Sequence, residues 1–342
     1  MLTERKSQIL RIIVDDYVNT VAPVASGTIA RSEGLGVSPA TVRNEMVALE
    51  EEGFILRPHI SAGGVPADKG YRHIVEWLDM GAMPLDEDAR AVESELGDAT
   101  DDVDEWADTA SEMLSSLLST VAFATPLHSR SPSVKSIELL ALQEMLVMLV
   151  VIMREASVYK QLINTERNFS VAELEKTRNR VNSIVAGKTF RDLVDSPDAP
   201  GRLEGQVMMS TLDVLRRHEA NAMRERRTQG VARLLEQPEF REDASLVRMA
   251  LAAIESDDVL ADLATSVSDD GNPAVLIGTE NRNENLHEIS VVICRYGVEG
   301  EAHGLLGVFG PTRMAYRRVI PLVRHAGASL SGMAGRVYGH AV

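Results

Sequence analysis

Within the run Ser38-Pro39-Ala40-Thr41-Val42-Arg43-Asn44, four side chains could read a nucleic acid. Arg43 can bond the O6 and N7 of guanine with two donors, Asn44 can do the same for adenine, and the Ser38 and Thr41 hydroxyls suit phosphate or either base. Helical spacing puts Val42, Met46 and Leu49 on one face for burial. That leaves Ser38, Thr41, Arg43 and Asn44 near the N-terminal end, which a recognition helix presents to the major groove. Downstream, Arg57, His59 and Ser61 fall in a turn-rich stretch, and Lys69 and Arg72 at the start of another helix. Each could meet duplex backbone; each is equally an ordinary solvated side chain, and His59 a simple turn residue.

Enzymatic chemistry has no such concentration. The eight histidines form no His-Glu-x-x-His, and one cysteine cannot build a zinc ribbon. There is no Gly-x-Ser-x-Gly elbow, and Gly34-Leu35-Gly36 lacks the third glycine and preceding strand of a dinucleotide loop. Glycines 297, 300, 304, 307 and 310 suit hairpin turns, and Arg224, Arg226 and Arg227, interleaved with Glu225, suit a solvated helix face. No catalytic residue, metal or cofactor is therefore expected. Cys294 follows the apolar run Ile289 to Ile293 and reads as a buried strand residue in a reducing compartment.

The elements that must position the first cluster are short helices. Residues 4 to 18 place Ile9, Ile12, Ile13 and Tyr17 at helical spacing behind Thr3 as N-cap. Pro23 to Ser32 reads as a second helix, ended by glycines. Ser38 caps a third, with Pro39 at its first position and Gly53 after it. Three helices with a glycine turn before the third follow the helix-turn-helix pattern. Phe54 to Arg57, the turn formers Pro58 to Gly64, and Val65-Pro66 make a small hairpin, or wing, and Asp68 caps a helix through Met80. Further on, Ile137 to Leu142, Met145 to Met153 and Val158 to Ile163 read as antiparallel strands. Residues 170 to 260 read as helices, Ala274 to Ile277, Ile289 to Arg295 and Leu305 to Phe309 as strands, and about Arg313 to Met333 as a closing helix.

The expected fold class is thus α+β and multidomain. A winged helix-turn-helix spans 1–80 and an acidic linker or helix 81–110; an α+β domain comprises 111–164 and 251–342, interrupted by a helical, dimerising insert over 165–250. A length of 342 residues with 44% apolar content accommodates two or three such domains. The net charge of −16 opposes nonspecific nucleic-acid affinity, which comes from neutralising phosphates with cations. Its distribution matters: residues 81–110 hold eleven acids against Arg90 alone, whereas residues 1–80 hold eleven against eight bases. The N-terminus runs straight into an amphipathic helix without signal-peptide features, and the charge-free run Met113 to Ser129 is too short and polar to span a bilayer. A cytoplasmic protein without membrane association is expected.

Four ordered groups of residues then carry a resemblance. They are Leu2-Thr3-Glu4-Arg5 with Ile9-Leu10 and Ile12 to Val14, and Gly36 to Met46 with Leu49-Glu50. The third is Pro58-His59, Ser61-Ala62-Gly63, Val65-Pro66 and Asp68-Lys69-Gly70-Tyr71-Arg72. The fourth is Ile277-Gly278, Glu280-Asn281, Ser290 to Val292, Tyr296, and Gly310 to Met314 with Tyr316. In these the chain resembles the heat-inducible transcription repressor HrcA family over essentially its whole length. The resemblance implies a homodimeric repressor that binds an inverted-repeat operator in double-stranded DNA upstream of chaperone operons. It also implies inactivation on heat stress, when the chaperonin GroEL that keeps the repressor folded is diverted. It implies a winged helix, a GAF-like domain and an inserted dimerising domain, with recognition by Ser38, Thr41, Arg43 and Asn44. Gly64 stands where the family usually has arginine in the wing, and Gly27 where a basic residue is expected, so two cations are missing from the DNA side. Ala315 replaces the usual aspartate before Tyr316. A regulator sensing a small molecule in the GAF-like domain is the alternative.

Overall fold

In the computed structural model, residues 2–32, 35–57, 63–78, 81–97, 103–129, 133–154, 157–194, 201–221 and 225–338 are described. The chain opens with α1 (Glu4–Thr20), α2 (Ser26–Ala30) and α3 (Pro39–Glu51), then the hairpin β1 (Ile55–Leu56) and β2 (Val65–Pro66), and α4 (Asp68–Glu76). Thr3 caps α1, its hydroxyl accepting the Lys6 N–H at 3.4 Å, and Ile9, Leu10, Ile13 and Val14 are buried against Val42, Met46 and Leu49 of α3. The second helix is shorter than its sequence suggests. Val24, next to Pro23, exchanges both backbone hydrogen bonds with Gly64 at 2.9 Å and is thereby drawn into an extended bridge. Asp68 was expected to cap α4, but Ala67 occupies the N-cap position and makes no side-chain cap bond. The helix ends at Glu76 rather than running on to Met80, which lies outside the described residues.

The acidic stretch is packed rather than a tether. It forms α5 (Asp86–Gly97) and the start of α6 (Val103–Leu118), burying Val92, Leu96, Trp106 and Ala110. Next come β3 (Val121–Ala124), β4 (His128–Ser129), β5 (Val134–Gln143), β6 (Leu146–Met153), β7 (Val158–Asn164), α7 (Val171–Val185), α8 (Phe190–Val194) and α9 (Arg202–Asn221). The chain then runs through β8 (Arg227–Gln229), α10 (Val231–Leu235), α11 (Pro238–Glu242), α12 (Ala244–Glu255), α13 (Asp257–Thr265), β9 (Ala274–Ile277), β10 (Ile289–Val298), β11 (Ala302–Pro311) and α14 (Tyr316–Val337).

An antiparallel sheet of order β8-β3-β11-β10-β9, with β4 also on β11, forms the body. Alternation along β10 explains why both its faces are covered. Val292, Cys294 and Tyr296 pack in one core with α14, while Val291 and Ile293 pack in another with α12 and α13. Cys294 is buried as expected, and burial pushes its thiol up to about 12.

The strands β5, β6 and β7 form a separate antiparallel sheet. They were expected to belong with the body, and the helices after them to lack strands of their own. Instead Val147, Leu149, Val151 and Met153 on the inner face of β6 share a core with Leu174, Val181 and Val185 of α7 and Val207 and Leu215 of α9. Conversely β8 and α10 to α13 return to the body. The packing boundaries therefore fall at the two ends of the β5–α9 run, not at residues 164 and 250. A strand with one apolar face must bury it against something, and α7 and α9, the long helices next in the chain, supply the cover.

Candidate nucleic-acid interface

At the start of α3 the Ser38 hydroxyl accepts the Thr41 N–H at 3.2 Å and lies 3.0 Å from the Thr41 hydroxyl, fixing the first turn. Val42 is fully buried, and Ser38, Arg43 and Asn44 are exposed, with Thr41 half-buried. Arg43 and Asn44 make no side-chain hydrogen bond or ion pair among the described residues. All four residues thus share one exposed patch at a helix N-terminus, the end whose free N–H groups and dipole favour phosphate.

The other predicted contacts are not brought to that patch with free donors. Arg57 donates through Nε to Glu50 at 2.6 Å and pairs with it again through Nη2. Lys69 donates to the Glu52 carbonyl at 2.8 Å, at the C-terminal end of α3, with its ammonium 4.4 Å from the centre of the Phe54 ring. Arg72 donates through Nε to Glu280 Oε1 at 2.7 Å and through Nη2 to the Val275 carbonyl at 2.6 Å; the Glu280 carboxylate raises its already high pKa. Arg57 and Arg72 are held in ion pairs within the protein, whereas Lys69 is exposed and tied by one donor to a backbone carbonyl. His59 and Ser61 lie outside the described residues. Gly64 is no wing tip: it is buried, and a Cβ there would point at Met46 and Ile55, each 3.1 Å away. Gly27 is open, with only Arg31 within 4.0 Å of a Cβ.

One candidate escaped the sequence reading. Arg31, the C-cap of α2, is exposed, and its side chain has no hydrogen-bond or ion-pair partner among the described residues. Its place between the second and third helices of a helix-turn-helix spacing was the available signal.

A family model described as HrcA protein C terminal domain matches residues 104–320. A heat-inducible transcription repressor HrcA of Dehalococcoides mccartyi is 35% identical over 99% of this chain and 98% of its own length. One of the same name from Herpetosiphon aurantiacus is 33% identical over 99% of this chain and 97% of its own. The chain belongs to the HrcA family. That membership makes it a transcription repressor rather than an enzyme. A solved structure described only as a hypothetical protein has the same fold, with a TM-score of 0.69 at 21% identity, covering 98% of this chain and all of that one. Among the described residues no group of acids, histidines or cysteine could hold a metal ion, and no helix is long and apolar enough to cross a membrane.

Proposed function

We propose that this HrcA chain represses heat-shock genes as a homodimer binding an inverted-repeat operator, with α1 to α4 and the β1–β2 hairpin acting as a winged helix on a GAF-like body. The observation that carries this reading is the exposed α3 patch: Arg43 and Asn44 are unpaired donors beside a capped helix N-terminus, whereas neighbouring cations are engaged internally. With so few cations facing DNA, one head supplies a small electrostatic term, so two must act together. DNA from upstream of its own organism's chaperone genes, sedimented with the protein, should carry two chains per duplex; no complex, or one chain at full affinity, contradicts the reading.

The second copy has a place to sit. The outer face of the β5–β7 sheet leaves Leu140, Val158 and Leu162 exposed at 47%, 52% and 58%. The helices of the insert, first expected to make this contact, bury Leu174 and Val181 against their own sheet. Across the strands the rows read Leu140, Met148, Leu162, then Glu138, Val150, Lys160, then Ser136, Ile152, Val158. A two-fold axis along β6 sets each Leu140 against the partner copy's equivalent of Leu162, and each Glu138 opposite the equivalent of Lys160. Arg178 of the same chain also reaches Glu138, at 3.1 Å. Sequence resemblance alone supports the chaperonin GroEL as a further partner.

One feature favours the small-molecule alternative. A cavity of about 520 Å³ beside β10, β11 and α14 is lined in part by Arg295, His303, Arg324 and Ser331. The buried Nε atoms of Arg295 and Arg324 have no hydrogen-bond partner among the described residues. The lining also carries Asp269, Asp270, Glu299 and Glu301, with Asp269 paired to Arg295, so the cavity suits a small polar molecule that can both donate and accept hydrogen bonds. Native mass spectrometry of the purified protein showing a retained metabolite, with operator affinity changing on its removal, would establish this second role.

A further inference from the structure

Three stretches far apart in the chain meet at one seam between the N-terminal helices and the body. Asp68, in the first turn of α4, accepts the Thr279 N–H at 2.9 Å and the Thr279 hydroxyl at 2.7 Å. One turn on, Arg72 grips both carboxylate oxygens of Glu280 and the Val275 carbonyl, while Glu280 also accepts the Ile277 N–H at 2.9 Å. Between them the buried Tyr71 ring stands 6.0 Å from that of Tyr316 on α14. Gly278 closes the seam: its φ is +48°, and a Cβ would lie 2.4 Å from an Asp68 carboxylate oxygen, so a side chain there would be strained in its backbone and would push the Asp68 carboxylate off Thr279. On its other side α4 holds α3, through Lys69 on the Glu52 carbonyl.

A single turn of α4 therefore joins the edge of the large sheet to the C-terminal end of α3. Interfaces between domains of one chain ordinarily permit relative motion. A bidentate guanidinium–carboxylate pair with an added backbone acceptor instead fixes direction as well as contact. We propose that Asp68 and Arg72, held by Thr279 and Glu280, are positioning residues that fix the direction of α3 relative to the body and so set the half-site spacing the repressor accepts. This rests on the dimeric DNA-binding reading given above. Freely swinging heads would engage half-sites at many separations; fixed heads engage both only where the separation matches the joint.

The full-length protein is titrated by fluorescence anisotropy onto inverted repeats whose half-site separation changes in half-turn steps of about five base pairs, and onto a duplex with one half-site. Native protein should lose at least about tenfold in affinity half a turn from its optimum. Glu280→Ala and the milder Thr279→Val should retain single half-site affinity and flatten that profile, with Arg72→Ala, which also removes the bond to the Val275 carbonyl, flattening it at least as far as Glu280→Ala. Without DNA, and diluted with excess unlabelled protein so that each dimer carries one labelled chain, spin labels at the exposed positions Gln8→Cys and Glu288→Cys should report one narrow distance in the otherwise native protein and a broad distribution in the variants; Cys294 is buried and stays unlabelled. An unchanged spacing profile in variants whose label distances broaden overturns the inference, and so do unchanged label distances. A native protein that binds two half-sites more tightly than one but at every separation alike also overturns the inference, whereas binding two half-sites no more tightly than one is the separate failure of the dimeric reading.

Discussion

Among the described candidate contacts of the recognition cluster and wing, Arg43 and Asn44 alone are exposed with no side-chain partner, which is why we propose that they read the sequence. Arg43→Ala or Asn44→Ala should weaken operator binding by about 1–3 kcal/mol and relax preference at one base pair per half-site, with the melting temperature unmoved. Competition binding against single-base operator variants checks this, and intact preference in both variants would reassign the recognition helix. Arg31 should behave differently. Arg31→Ala is expected to weaken all sequences alike and lower the log–log salt slope by about 0.9, the value for one phosphate; a salt titration showing no change removes it from the interface. The α3 residues were legible because exposure at a helix N-terminus follows from local spacing. The fates of Arg57, Lys69 and Arg72 were not: Lys69 is held by a backbone carbonyl and Arg72 by Glu280, 208 positions away, which no local pattern records.

Among the elements, those specified by caps and apolar periodicity were readable, α1 behind Thr3 and α3 behind Ser38; α7 was expected as a helix, and its capping box at Ser170 and Glu173 is a finding of the structure. Shared cores were harder to read, because the alternation along β6 says that one face is buried without saying against what. Hence β5 to β7 were grouped with the body although α7 and α9 cover them. The α7 cap also makes a pH prediction. The Arg167 guanidinium, together with the Ser170 N–H and hydroxyl, holds the Glu173 carboxyl down at about 2 against an ordinary 4.5. A depressed carboxylate stabilises the folded state fully above its unfolded pKa, and the contribution is lost as pH falls from there toward the folded value. Melting temperatures taken between pH 4.5 and pH 2 should therefore fall less steeply in Glu173→Gln than in the native chain, and parallel slopes would show that the box contributes nothing.

At the scale of the whole molecule, we propose that the exposed α3 patch, the α4 joint and the apolar sheet face act together in a dimeric repressor. Family membership was legible from ordered motifs, and the residues among them that build the α4 seam explain part of that order. Leu162→Asp places a charge in the proposed dimer face while leaving the buried inner face untouched. It should give a monomer in analytical ultracentrifugation and lower operator affinity by about 10²-fold or more, since avidity from two half-sites is lost. A dimer that persists would move the interface elsewhere. Whether paired α3 helices read an inverted repeat is decided by footprinting the native protein and the Arg43→Ala, Asn44→Ala double variant on the DNA upstream of its organism's chaperone genes. Two protected half-sites related by a dyad are expected, their centres a whole number of helical turns apart, with no protection by the double variant at the same concentration. Protection without a dyad, or the same footprint from both proteins, would contradict that reading.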